Sequence, residues 1–420
     1  MHGDNLRIPL LRDRHTHPLL YAALHEGINL NDESADPAWT NDELRNHTIL
    51  RIREHARRGL TGWAVAQGWN SGRYSLAKEE FDDLPPLVIF NLSLHDFVVN
   101  DAGRMLLRQN DSEVAANLDD PNWVERNLRR ILNVFANEGA SPERLRRFFS
   151  WLLVTHGVFH AEEMLLVDER EIRLFEEAGL VGRTRFWAAP EQYEKLSPDI
   201  QQKIHGIKMF TDGALGAWTA ALNRPYRESP HLGSYPQGML MYESDELIGI
   251  LRRYLGTGKP IALHAIGDHA IDQVVAAVEA AGRPDLGEIR IEHAQLISES
   301  SARRAKALGI LLCMQPNFSD DSVHYDKRLP EKYPGMNNPF RMLIDRVGYV
   351  PGKDLLFGSD GMPHGFREGL RQSLFPRYES QSLTVDEFVA GYCMPDDGNG
   401  RIEVRIDPND RSVSGRVVIG

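Results

Sequence analysis

The chain has 420 residues, 42% of them hydrophobic and 26% charged, with a formal net charge of −12. That is enough for one large core or two smaller ones, in the ordinary range of globular proteins rather than disordered ones. The acidic balance excludes a general nucleic-acid binder, which needs a basic surplus to neutralise phosphates.

Taken in chain order, IPLLRDRHTH (8–17) predicts a first strand and residues 41–59 a helix. TGWAVAQGW (61–69) and PLVIFNLS (86–93) alternate like strands, residues 121–139 and 143–156 read as helices, and RTRFWAAP (183–190) as a strand. The second half is more regular. GIKMFT (206–211), PIALHA (260–265), IRIEHA (289–294), GILLCM (309–314) and DLLFGSD (354–360) predict strands. Between several of them lie helices, 270–282 and 298–309, that end on Gly. Such alternation implies parallel strands joined by crossovers, an α/β fold. The stretch from residue 17 to about residue 150 is too long for one βα loop, so an insertion is expected there, about 60–145, capping the mouth of a barrel formed by residues 1–400. Ile402, Val404 and Ile406 alternate before the turn DPND and the run VSGRVVI, which predicts a C-terminal β-hairpin over 401–420.

Cys313 and Cys393 are the two cysteines, too few and too far apart for a disulfide framework or a cysteine zinc site. MHGDNLRIPLL lacks the apolar run of a signal peptide, and no stretch of about 18 apolar residues exists, so a cytoplasmic enzyme without membrane contact is expected.

The chemistry sits at strand ends. In His15-Thr16-His17, residues i and i+2 share a strand face, so two imidazoles can converge on one metal ion. Alone, H-x-H is a weak signal; two loop histidines give the same pattern. His264 and His293 each close an apolar run just before a loop. One such histidine is more often a satisfied core residue; two on consecutive strand ends point to a shared rim, because the C-terminal strand ends of a barrel open on one face. Asp360 follows the run LLFGS and either caps the next helix or points into that rim, where it would carry a proton. Lys208 in GIKMFTDG cannot ligate while protonated, so its plain reading is a lysine paired with a carboxylate. Trp69, His95, Asp212, Trp218, Asn317 and His324 are candidates for the substrate site; turn formation (Asp212 with Gly213) or packing (Trp69, Trp218) are their ordinary readings.

These residues resemble the amidohydrolase superfamily, and more closely its amidohydrolase-3, or YtcJ-like, branch. GIKMFTDGALGAWTAAL (206–222) is similar to that branch's strand-four segment, IALHAIGDHAID (261–272) to its strand five and IRIEHAQLI (289–297) to its strand six. MQPNFSDD (314–321) and FGSDGMP (357–363) resemble strands seven and eight, with weaker similarity at GWAVAQGWN (62–70) and LHDFVVNDA (94–102). The resemblance spans roughly residues 10–370. It implies a (β/α)8 TIM-like barrel and hydrolysis of C–N bonds, amide-like rather than peptide, in a small molecule. It also implies one or two divalent metals, zinc first, held by His15, His17, His264, His293 and Asp360. Lys208 would be a further metal ligand, a CO2-derived carbamate bridging the metals, and Asp360 the catalytic base as well as a ligand.

Two departures stand out. Only fourteen residues precede His15, so the N-terminal part of the branch's β-sandwich is expected to be missing and the hairpin to need cover from the barrel or a second copy, making a homodimer an expectation. The branch's Ser-Arg before T-A-A-L is Ala217-Trp218 here. The same scaffold acting on lactones or esters, working as an isomerase or lyase, or serving as a non-catalytic barrel are the alternatives.

Overall fold

The structure is a computed structural model that describes residues 5–25, 27–30, 39–57, 63–71, 73–91, 94, 96–166, 168–227, 235–282, 288–396 and 398–420. The strands in chain order are β1 (Asn5–Pro9), β2 (Leu11–Thr16), β3 (Ile28–Asn29), β4 (Ala64–Trp69), β5 (Leu87–Asn91), β6 (Phe97–Val99), β7 (Val158–Leu166) and β8 (Thr184–Ala188). They continue with β9 (Ile204–Phe210), β10 (Ile261–Ala265), β11 (Ile289–His293), β12 (Leu311–Met314), β13 (Leu355–Phe357), β14 (Gly400–Asp407) and β15 (Ser412–Ile419). The chain divides into two compact units, Leu19–Phe148 and the remainder, Met1–Pro18 with Phe149–Gly420.

The larger unit holds an eight-stranded parallel sheet in the order β13-β12-β11-β10-β9-β8-β7-β2, curled into the expected barrel. Most β9 to β13 strands are followed by helices, among them Asp268–Ala281 after β10 and Glu299–Ala307 after β11. β10 is buried at all five positions, as a parallel strand covered on both faces must be. Between the first and last strands the barrel closes without a ladder. Instead the Asp360 N–H donates to His15 O at 2.7 Å, and the Ser359 N–H donates to Asp13 Oδ1 at 2.9 Å. Ser359 Oγ–H and Tyr392 O–H donate to the other Asp13 oxygen.

The seam tolerates no side chain at Gly358, where an added Cβ would stand 2.5 Å from His15 N and 2.8 Å from His15 Cβ. Gly358→Ala is expected to cost about 1–3 kcal/mol by forcing strand one away from strand eight. A lowered midpoint in urea unfolding checks this; an unchanged midpoint would show that the seam has slack.

One expectation needs correcting. IPLLRDRHTH is not a single strand. The chain breaks after Pro9, which has no N–H to continue a ladder, and resumes as β2 with the Leu11 N–H bonded to Gly157 O. The first piece, β1, pairs antiparallel with β14, so the hairpin gains a third strand in the order β1-β14-β15. An N-terminal strand of the small sheet is therefore present. Barrel residues cover one face of the sheet. An added Cβ at Gly157 would meet Ile402 at 2.4 Å, and Arg367 donates to Gly415 O at 2.9 Å.

The unit Leu19–Phe148 is wider than the expected 60–145. Its four-stranded sheet, β3-β4-β5-β6, includes the early strand β3, and the helix Asn41–Ala56 sends Ile52 and Ala56 into one core with Ala64 and Ile89. That helix starts on a capping box, with Thr40 and Glu43 each serving the other's backbone N–H.

Candidate metal centre

Barrel topology brings six of the expected residues to one end of the strands. His15 lies near the end of β2 and His17 just past it, Lys208 lies in β9, His264 in β10 and His293 at the end of β11, while Asp360 follows β13. Two backbone turns re-aim the side chains. His293 sits at φ 70° and Asp360 at φ 55°, both in the left-handed region that non-glycine residues rarely enter. Asp360 does not cap the next helix, whose N-cap is Gly365.

The imidazoles form a connected group. The His15 ring centroid lies 4.5 Å from that of His293, which lies 4.5 Å from that of His264. His17 Nε2 is 3.2 Å from Asp360 Oδ1, and His15 Nε2 is 3.9 Å from the same oxygen. Ligating atoms of His15, His293 and Asp360 all lie within 4.8 Å of one another.

Three of the rings have one nitrogen tied to an acceptor. His15 Nδ1 meets Glu292 Oε2 at 2.5 Å, His293 Nδ1 meets Gln315 Oε1 at 2.7 Å, and His264 Nε2 meets Gly213 O at 3.1 Å. A neutral imidazole that donates from one nitrogen carries its lone pair on the other. His15 and His293 are neutral: burial first, then the neighbouring cationic groups, push both well below the usual histidine range. This is the donor set that a divalent metal requires, with the outer acceptors that orient such ligands.

Around His17 the field reverses. Burial drives its imidazole down, but the facing carboxylates of Asp360 and Glu163 outweigh that and bring it up to about 9. Glu163 Oε1 is 3.9 Å from His17 Nδ1. The corner is thus built to hold positive charge. Lys208 is 1% exposed, its Nζ has no hydrogen-bond partner among the described residues, and burial lowers its ammonium to about 8 against the pull of Glu292 and Asp360. A buried amine without a partner is costly to keep protonated, so it is available to be modified or to meet another group.

Beneath the rim the barrel interior is charged rather than apolar. The fully buried Arg290 donates Nε–H to Glu292 Oε1 at 2.5 Å, one Nη to Glu162 Oε2 at 3.0 Å and the other to Arg14 O at 3.0 Å, and lies 4.5 Å over the Trp187 ring. Glu162 also accepts from Arg12, Arg185 and Trp187.

The remaining candidates among the described residues have the following surroundings. Asp212 is a backbone anchor: its carboxylate accepts the N–H groups of Ala221, Ile266 and Gly267 and lies 3.4 Å from His264 Nε2. Trp218 adopts φ 58° and carries the Arg328 guanidinium 3.9 Å over its ring. Asn317 is buried and donates to Ser359 O and Met362 O, strapping the loop after β12 to the one bearing Asp360. His324 is exposed and faces Asp320 at 3.8 Å. Trp69, in the unit Leu19–Phe148, is buried and donates to Tyr74 O. His95 lies outside the described residues.

Sequence reasoning missed Glu163, Glu292, Arg290 and Gln315. For Glu163 a signal existed: the helix Pro142–His156 stops at Gly157 (φ 73°), and VFHAEEMLL follows as a separate segment.

The profile of the amidohydrolase family (amidohydrolase-3) matches residues 4–363. The chain belongs to the amidohydrolase family. Among curated relatives of this amidohydrolase, the YtcJ protein of Bacillus subtilis (strain 168), which carries an amidohydrolase name, is 24% identical over 312 residues. That match takes in 64% of this chain and 57% of YtcJ, so the chain spans little more than half the length of that relative. Among solved structures, an uncharacterized metal-dependent hydrolase from Pyrococcus horikoshii OT3 is 25% identical with a TM-score of 0.60, covering 85% of this chain and 71% of its own. Another from Pyrococcus furiosus is 21% identical with a TM-score of 0.64, covering 92% and 80%, and supports the fold.

Proposed function

We propose that this amidohydrolase is a metal-dependent hydrolase that cleaves a C–N, amide-like bond of a small molecule. The observation that carries the reading is the pair His15 and His293, each with Nδ1 fixed on an acceptor and Nε2 turned away from it, with the His264 ring 4.5 Å from that of His293. These with Asp360 and His17 would hold a divalent metal, zinc first among those that suit imidazole and carboxylate. When bound, such a metal supplies Lewis acidity, which acidifies water and polarises a carbonyl. Asp360, 3.2 Å from His17 Nε2, takes the proton of the attacking water and returns it to the leaving nitrogen. Lys208, buried and without a hydrogen-bond partner for Nζ among the described residues, fits a carbamate: its neutral Nζ adds to CO2 and releases one proton, giving an anionic carboxylate in place of a buried cation. No helix among the described residues is long and apolar enough to cross a membrane.

Elemental mass spectrometry of protein purified without chelator, with bicarbonate present, tests the reading. One or two divalent ions per chain are expected. Chelation should abolish hydrolysis of an amide panel and added zinc should restore it. Turnover of lactones with no turnover of amides would move the reaction class, and a folded chain without metal would overturn the proposal.

A further inference from the structure

We propose that Glu292, clamped by Arg290, is the positioning residue that fixes the tautomer of His15 and thereby sets the metal affinity of the centre. The inference rests on the metal reading above and adds to it the control of one ligand's protonated nitrogen.

Glu292, fully buried in β11, gives one carboxylate oxygen to Arg290 and the other to His15, and the buried Cys313 thiol also donates to this carboxylate. Oε1 accepts from Arg290 Nε at 2.5 Å and Oε2 from His15 Nδ1 at 2.5 Å. A carboxylate is an acceptor only, so Nδ1 carries the proton and Nε2 the lone pair. Nε2 is the nitrogen on the Asp360 side, 3.9 Å from Oδ1. Arg290 cannot swing away to release the carboxylate, because its other nitrogens are held by Glu162 and by Arg14 O. That last oxygen belongs to the residue before His15. One guanidinium therefore fixes both the orienting carboxylate and the strand that carries the ligand.

The arrangement makes an unusual demand on an amide at position 292. Glu292→Gln keeps the shape but has one oxygen and one NH2. Arg290 has no lone pair to offer, so the oxygen must face it. The NH2 then faces His15 Nδ1, which must become an acceptor, and the proton moves to Nε2. The imidazole stays neutral and in place but offers an N–H where it offered a lone pair, as happens when the carboxylate behind a catalytic histidine is replaced by its amide. Removing Arg290 as well frees the amide oxygen to turn back to Nδ1–H. R290M/E292Q removes one buried cation and one buried anion together, so the local charge balance is kept.

The test uses the full chain, labelled with 15N-histidine and freed of metal. Long-range 15N–1H correlation reads the tautomer of His15, whose resonance is identified by its loss in His15→Ala. Competition with a chromophoric chelator gives the zinc Kd, and circular dichroism verifies folding. The unaltered chain is expected to show Nδ1–H, Glu292→Gln to show Nε2–H with zinc bound about 10–100-fold more weakly, and R290M/E292Q to recover both. A Glu292→Gln chain that keeps Nδ1–H, or a double variant that recovers neither property, overturns the proposal, since a carboxylate that merely balances charge in the core would move stability and not the tautomer. Absence of zinc binding by the unaltered chain overturns the metal reading instead, while the tautomer still decides whether Glu292 orients His15.

Discussion

Asp360→Asn is expected to lower kcat by about 10²–10⁴-fold with the fold intact, the range removed when a positioned acid–base group is lost. The substitution isolates chemistry from structure for two reasons. Asparagine has the same shape, and it is among the few residues that accept the left-handed backbone, here φ 55°. The Asp360 N–H bond to His15 O at 2.7 Å, which helps close the barrel, is made by the main chain and survives. What is lost is the anionic oxygen 3.2 Å from His17 Nε2 and its capacity to accept a proton. Hydrolysis of the amide that the panel identifies, together with the thermal midpoint, checks this. Near-wild-type kcat would remove Asp360 from its role, and a collapsed midpoint would make it structural.

Arg290→Met is expected to cost about 3–5 kcal/mol of stability, because it leaves Glu162 and Glu292 buried without the cation between them. Volume is roughly kept, so the loss is electrostatic. Its pH dependence separates it from a packing defect. In the native chain burial raises the Glu162 carboxyl, but Arg290, then Arg12 and Arg185, outweigh this and hold it below the usual glutamate range. A depressed acid stabilises the fold above its unfolded pKa and loses that contribution as the pH falls through the folded value. Without Arg290 the depression weakens and the Glu162 carboxyl becomes easier to protonate. The deficit should therefore be full at neutral pH and shrink under acid conditions. Urea unfolding at neutral and acidic pH measures it, and a deficit that is the same at both would mean a cavity rather than an unpaired charge.

The second half of the barrel was legible because β9 to β13 follow two simple rules. They are rich in apolar residues, and a residue that carries chemistry closes the run, as with His264 after IAL. The first half was harder to read, and β7 was missed, for a physical reason. β2 reads LRDRHT and β7 reads VFHAEEMLL, neither an apolar run nor a clean alternation. Their polar side chains find partners inside the barrel: Arg12 meets Glu162, and Asp13 takes Ser359 and Tyr392. Hydrophobic periodicity reports burial only when what is buried is apolar. Glu292 was in plain view inside the quoted segment IRIEHAQLI, yet its partner His15 is 277 residues away, and spacing along the chain carries no trace of that contact. The strand β1 hid for the same reason, since its partner β14 lies near the other end.

That long-range pairing has a consequence for how the molecule is made. On the ribosome β1 emerges well before β14, and Leu6 must wait for Val404 before its ladder can form. The seam between β2 and the turn at Ser359–Asp360 waits almost as long. A nascent chain therefore holds β1, β2 and the metal-ligand candidates His15 and His17 without their final neighbours until nearly all of the barrel has been synthesised. Closing so large a loop adds little to the final instability, because the entropy grows only with the logarithm of length. It does delay the last step of folding, and the centre at His15 and His17 can be completed only then.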